Sequence, residues 1–137
     1  MARQTERIVR KYRLARRLAQ IATAKAERQK RALDQKRQRL VDARAQLCQH
    51  NPQISGADLA ARLEWSDRLA EAATSLDMPL NDANTTCANA ARAATLASGQ
   101  AEIIERTHHA AVQKDAYDRE LRQLRNLPIN PKKRGLL

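Results

Sequence analysis

The stretch from Ile8 to Leu47, IVRKYRLARRLAQIATAKAERQKRALDQKRQRLVDARAQL, contains neither Gly nor Pro, and its reading decides the fold. Take Ile8, Tyr12, Ala15, Ala19, Ala22, Ala26, Gln29, Leu33, Lys36, Leu40, Ala43 and Leu47. The steps between them alternate between four and three without a break, and most of these residues are Ala, Ile or Leu. That alternation keeps a narrow stripe facing one neighbour, which is the seam of a coiled coil. At the usual rise such a helix runs for roughly 65 Å. Leu14, Leu18 and Ile21 form a side stripe that widens the apolar face and offers room for a further partner helix.

The rest of the composition agrees. The 137 residues include no Phe, one Trp and two Tyr, and only three Gly and four Pro. A thick globular core is normally filled with large rings and branched aliphatics. Here Ala, Leu, Arg, Gln, Glu and Lys dominate, the residues that cost a helix least. Long helices around a thin seam are expected, as one domain. No apolar run is long enough to span a bilayer. The basic start is not followed by an apolar h-region or a small-residue cleavage site, so no signal peptide is expected. Cys48 and Cys87 have neither CxxC nor His spacing and read as idle or buried thiols in a reduced cytoplasmic setting.

His50 to Gly56, with Pro52 inside, is the breaker cluster and the expected hairpin tip, 51–56. Ser55-Gly56-Ala57-Asp58 then reads as a helix start capped by Ser55. The second helix is expected over 57–126. Its apolar row is Leu59, Leu63, Ser66, Leu69, Ala73, Leu76, Leu80, Ala83, Cys87, Ala90, Ala94, Ala97, Ala101 and Ile104. Beyond Ile104 the row drifts to Ala110, Tyr117, Leu121 and Leu124. Pro79 should kink or break this helix, with Asp77 capping the restart. A basic, mobile tail is expected over 127–137. The fold class is therefore all-α: a long antiparallel two-helix coiled-coil hairpin, helix 1 over 1–50, the second helix longer and kinked near Pro79. A turn centred near Gln53 sets Leu40 beside Ser66, Ala15 beside Ala91 and Cys87 beside Ala19.

Charge is uneven along the chain. Residues 1–50 carry 15 Lys and Arg against 4 Asp and Glu, whereas residues 51–100 carry 3 against 6. A fold-back brings the basic start and the basic tail to the same end. Arg7, Arg10, Lys11, Arg13, Arg16 and Arg17 are the candidate partner-binding residues there, facing an acidic surface or nucleic acid. Leu40, Leu47 and Trp65 are the candidate tip contacts.

Catalytic patterns are wanting. His108 and His109 are adjacent, so on a helix they point about 100° apart, unlike a metal-binding i, i+4 pair. No glycine-rich phosphate loop or nucleophile triad has spacing support. Glu102 and Glu105 belong to an ordinary charged helix face. No enzyme activity, cofactor or metal is expected. A basic coiled coil that binds nucleic acid is the alternative, since Arg3 to Arg17 can track phosphates. It lacks interleaved aromatics for base stacking. A generic adaptor is the other alternative.

The layout of a basic first helix of about fifty residues, a short tip and a longer second helix with a basic tail resembles the FliJ/YscO family. These are the stalk proteins of flagellar and type III secretion export. The opening Arg7-Ile8-Val9-Arg10-Lys11-Tyr12-Arg13-Leu14-Ala15-Arg16 looks like the family's start, and Ser55 to Trp65 is similar to the tip of some members. Pro79 departs from the family's uninterrupted second helix. The resemblance implies a cytoplasmic, non-enzymatic stalk seated in a hexameric export ATPase. Its tip would face the export gate, and secretion chaperones would be further partners.

Overall fold

The computed structural model describes residues 2–49 and 55–128. The chain is all α: α1 is Ala2–Leu47, α2 is Gly56–Ser75 and α3 is Asp77–Arg125. The second arm of the hairpin is thus bent and joined from two helices packed on the first. Of the expected tip, 51–56, residues 51–54 lie outside the described residues, as does the expected tail, 127–137, from 129 onward.

Each boundary has a local cause. α1 runs uninterrupted because it holds no Gly or Pro, and no other residue costs more than about 0.7 kcal/mol against Ala. Its last turn tightens, with the Gln49 amide donating to the Gln46 carbonyl at 3.3 Å. α2 starts as expected: Ser55 is extended at φ −67° and ψ 160°, and its hydroxyl accepts from the Asp58 amide at 3.3 Å. α2 ends at Ser75 because Pro79 has no N–H to offer the Ser75 carbonyl. One residue, Leu76, carries the break, and the ladder resumes where the Leu80 amide donates to the Leu76 carbonyl at 2.9 Å. Asp77 is not the cap of the restart. It sits in the first turn of α3, where its charge suits the helix N-terminus, and its carboxylate faces Arg37 at 3.2 Å. Gly99 leaves α3 unbroken.

The chain forms two compact units rather than one. In the first, the chain up to Arg17 packs on the chain from Leu96 onward. The Ala2 amide reaches Asp115 at 3.3 Å, Thr5 Oγ1 lies 2.8 Å from His108 Nδ1, and Arg13 donates to Glu105 at 2.9 Å. Higher numbers on α1 meet lower numbers on α3, so the pair is antiparallel. α3 continues about ten residues past Asp115, or ~15 Å. The second unit, Leu18–Thr95, is antiparallel in the same sense. There Thr23 Oγ1 reaches the Ala90 carbonyl at 3.2 Å, Arg37 meets Asp77, and Arg44 Nε donates to Ser66 Oγ at 3.1 Å.

These contacts correct the expected register. Ser66 lies beside Arg44 and Cys48 instead of Leu40, and it is Thr23 that reaches Ala90. The shift is about one heptad. The expected register took the middle of the loop as the axis of the hairpin. Seam packing sets it instead, and the first turns of α2 lie beyond the level at which Cys48 meets Ser66. Leu59 and Leu63, expected in the seam, are therefore more than half exposed. Cys48 beside Ser66 is far from Cys87, which lies 21 residues further along the second arm, ~30 Å by helix rise. Both thiols are free.

Half of the α1 seam is also corrected. Tyr12, Ala19, Ala26, Leu33, Leu40 and Leu47 face inward as read. Of the alternate row only Ala43 does so; Val9 is 3% exposed while Ile8 is 44% exposed. Arg16, Thr23 and Lys30 are half-buried where Ala15, Ala22 and Gln29 were expected, and these three are exposed. Long basic side chains can bury their stems against a thin Ala seam and keep their heads in water. On the second arm, every row member from Ser66 to Ile104 is buried or half-buried. Past Ile104 the row does not drift. It holds its period through His108, Ala111, Asp115, Asp118 and Leu121, so of the four residues expected there Leu121 faces inward and Ala110, Tyr117 and Leu124 lie outside.

Candidate interaction surface

The first 17 residues hold seven Lys and Arg and one acid, Glu6. Residues 96–128 of α3 carry five of each sign and are neutral. Among the described residues of the first unit the surplus positive charge therefore sits on α1. The structure divides the six candidate binding residues into two sets. Arg13 and Arg16 converge on Glu105, at 2.9 and 3.7 Å, and belong to the seam margin. Arg10 pairs along its own helix with Glu6 at 2.8 Å and stays largely exposed. Arg7, Lys11 and Arg17 are exposed and, with Arg3, have no ion-pair partner among the described residues.

Glu105 is the acid the sequence reading passed over as a solvated surface residue. The hydrogen bond from Arg13, with the added charges of Arg13 and Arg16, holds its carboxyl below the ordinary carboxylate range against a smaller opposing effect of desolvation. A group whose pKa is lowered in the folded state stabilises that state above its unfolded pKa. The contribution is lost as pH falls through the lowered one. Glu105 is still one-third exposed, so the effect is screened. The stability difference between the wild type and Glu105→Gln should be present at neutral pH and close in acid. Urea unfolding of both proteins across that range checks it; a gap that widens in acid refutes the assignment.

The candidate tip contacts separate as well. Leu40 and Leu47 are half-buried in the seam and are not free to contact a partner with their full surface. Trp65 is 57% exposed. The Arg68 guanidinium lies 5.5 Å from its ring centroid and is itself held by Glu64 at 2.6 Å. His108 sits in the seam against Thr5, while His109 points away and meets Gln113 at 3.1 Å.

Among the described residues no group of three or more His, Cys, Asp or Glu is placed to hold a metal ion. No described helix is long and apolar enough to cross a membrane. A recess of about 330 Å³ on the last turns of α3 is lined by Glu120, Gln123, Leu124 and Leu127. A smaller one of about 50 Å³ is lined by Thr5, Ile8, Ile104 and Thr107.

The polar partners in the seam were missed because a hydrophobicity reading skips them. One signal was present. Arg16, Thr23, Lys30, Arg37 and Arg44 recur every seven residues beside the apolar row of Tyr12 to Leu47. The geometry defines the class: an antiparallel helical hairpin with a cationic outer surface on one helix. No protein-family model, curated protein or solved structure matches the chain.

Proposed function

We propose that the protein is a non-enzymatic coiled-coil stalk or adaptor of a flagellar or type III protein-export apparatus, working in the cytoplasm. Its basic terminal end seats in a hexameric export ATPase and modulates its cycle. The opposite end faces the export gate, and secretion chaperones are further partners. The observation that carries this reading is the row of exposed cations Arg3, Arg7, Lys11 and Arg17 on α1, unneutralised by α3 beside it. Such a surface suits an acidic lining, which steers encounter and fixes register. The stalk hydrolyses nothing. It shifts the ring by contacting one of its states better than another.

The test is stimulation of an export ATPase by the full chain, which should show no hydrolysis alone. Reversing Arg7, Lys11 and Arg17 to Glu should weaken stimulation about tenfold, equivalent to ~1.4 kcal/mol. These are better targets than Arg13, whose loss would disturb the Glu105 pair. Reversal of Arg62 and Arg68 on α2 should matter less. The same outer cations are also what a phosphate backbone would meet. Tight nucleic-acid binding that falls steeply with salt, with no effect on any export ATPase, would overturn the stalk reading.

A further inference from the structure

The outer side of α1 carries an apolar patch set among cations. Leu14, Leu18 and Ile21 stand at steps of four and three, so they share one face of the helix. They are 57%, 57% and 56% exposed, while Tyr12, Arg16, Ala19 and Thr23 turn inward. The rows that hold the patch end in charge in both directions. Arg7 stands seven residues before Leu14, and Arg28 seven after Ile21. Lys11 and Lys25 stand seven to either side of Leu18. All four cations are exposed, and none has an ion-pair partner among the described residues. From Arg7 to Ala26 the chain holds no acid.

The surroundings of the patch define what covers it. We propose that this face of α1 lies flat on an anionic lipid surface. Leu14, Leu18 and Ile21 enter the boundary between headgroups and acyl chains, and the four bracketing cations meet the lipid phosphates. The contact runs ~32 Å from Arg7 to Arg28. Long basic side chains can lay their stems beside the apolar patch and hold their charged heads at the level of the phosphates. A helix lying in the interface needs no span across the bilayer.

The aliphatic centre is what separates lipid from nucleic acid. A phosphate backbone rewards the cations alone. It gives three aliphatic side chains in the middle of the acid-free stretch nothing to bury against. An anionic lipid surface takes both, and a neutral one takes only the weaker part. The inference does not rest on the stalk reading. Arg7 and Lys11 are shared with the ring-facing set, but Leu18, Lys25 and Arg28 are not, and these three carry the test.

Co-sedimentation of the full chain with vesicles tests it. Vesicles of phosphatidylcholine and phosphatidylglycerol in equal parts should bind the chain at least about tenfold better than phosphatidylcholine alone. Leu18→Gln, which adds no charge, should weaken binding to the mixed vesicles about fivefold with unchanged helicity. Reversing Lys25 and Arg28 together to Glu should weaken it by about tenfold or more. Leu63→Gln, at a position of α2 that is 58% exposed, should have no effect. Insertion is read in a C48S/C87S background with a bimane label. The label on Leu14→Cys should shift to the blue on mixed vesicles, and on Leu63→Cys it should not. No binding to mixed vesicles, binding indifferent to Leu18→Gln, or no shift at Leu14→Cys would each overturn the proposal. Duplex DNA bound in place of the vesicles would assign this face to nucleic acid instead.

Discussion

Leu80→Ala should lower the unfolding free energy of the Leu18–Thr95 unit by ~2–3 kcal/mol. Few side chains are deeply buried: the buried apolar residues among those described are Val9, Ala26, Leu76, Leu80 and Ala101. Leu80 is 5% exposed and stands immediately after the break that Pro79 forces, beside Leu76 at 8%. Truncation removes the apolar surface that covers this break and leaves a cavity that a helix pair can close only in part. The substitution itself favours helix, so the loss is a packing loss. Met78→Ala is the control two residues away. Met78 is 76% exposed, and its truncation should stay within about 0.5 kcal/mol. Urea unfolding at low protein concentration reads both. Equal effects of the two substitutions would mean that Leu80 is not a packing centre.

Ala101→Phe should be as damaging in the other unit, by the opposite mechanism. Ala101 is 0% exposed, on the seam of α3 where α1 approaches. A ring there cannot be accommodated without forcing the two helices apart, at a cost of ~1–3 kcal/mol or more. The loss should be local. Amides of residues 96–125 should lose hydrogen-exchange protection, while those of the Leu18–Thr95 unit keep most of theirs. Ala110→Phe, nine residues on but on the exposed side of α3, serves as the comparison and should leave protection in place. If Ala101→Phe is tolerated as well as Ala110→Phe, the close approach at Ala101 is wrong.

Both substitutions follow from how little this seam buries. A pair of Ala-rich helices brings backbones close but removes little apolar area from water. The polar residues at the seam then matter more than in a thick core. Arg37 with Asp77 and Arg44 with Ser66 secure register at points where Ala offers no shape to distinguish one turn from the next. Ser66 is 5% exposed and its hydroxyl is satisfied by Arg44, so a slip by one turn would strand it.

The sequence alone determined the helical class, the Ser55 cap of α2, the break before Pro79 and the second-arm seam from Ser66 to Ile104. Each of these rests on interactions within a few residues: a cap, a missing N–H, or Ala and Leu recurring on one face. Register was not local, nor was the choice between Ile8 and Val9 or between Ala15 and Arg16. A hydrophobicity reading favours Ile8 and Ala15 because it counts side chains one helix at a time. The tertiary structure chooses Val9 and Arg16 because burial depends on what the facing helix provides. Opposite Arg16 it provides Glu105, and opposite Thr23 the Ala90 carbonyl. The binding surface divides along the same line. The sequence located the cations, but only the packing of α3 on α1 separated Arg13 and Arg16, held by an acid, from Arg7, Lys11 and Arg17, which face water.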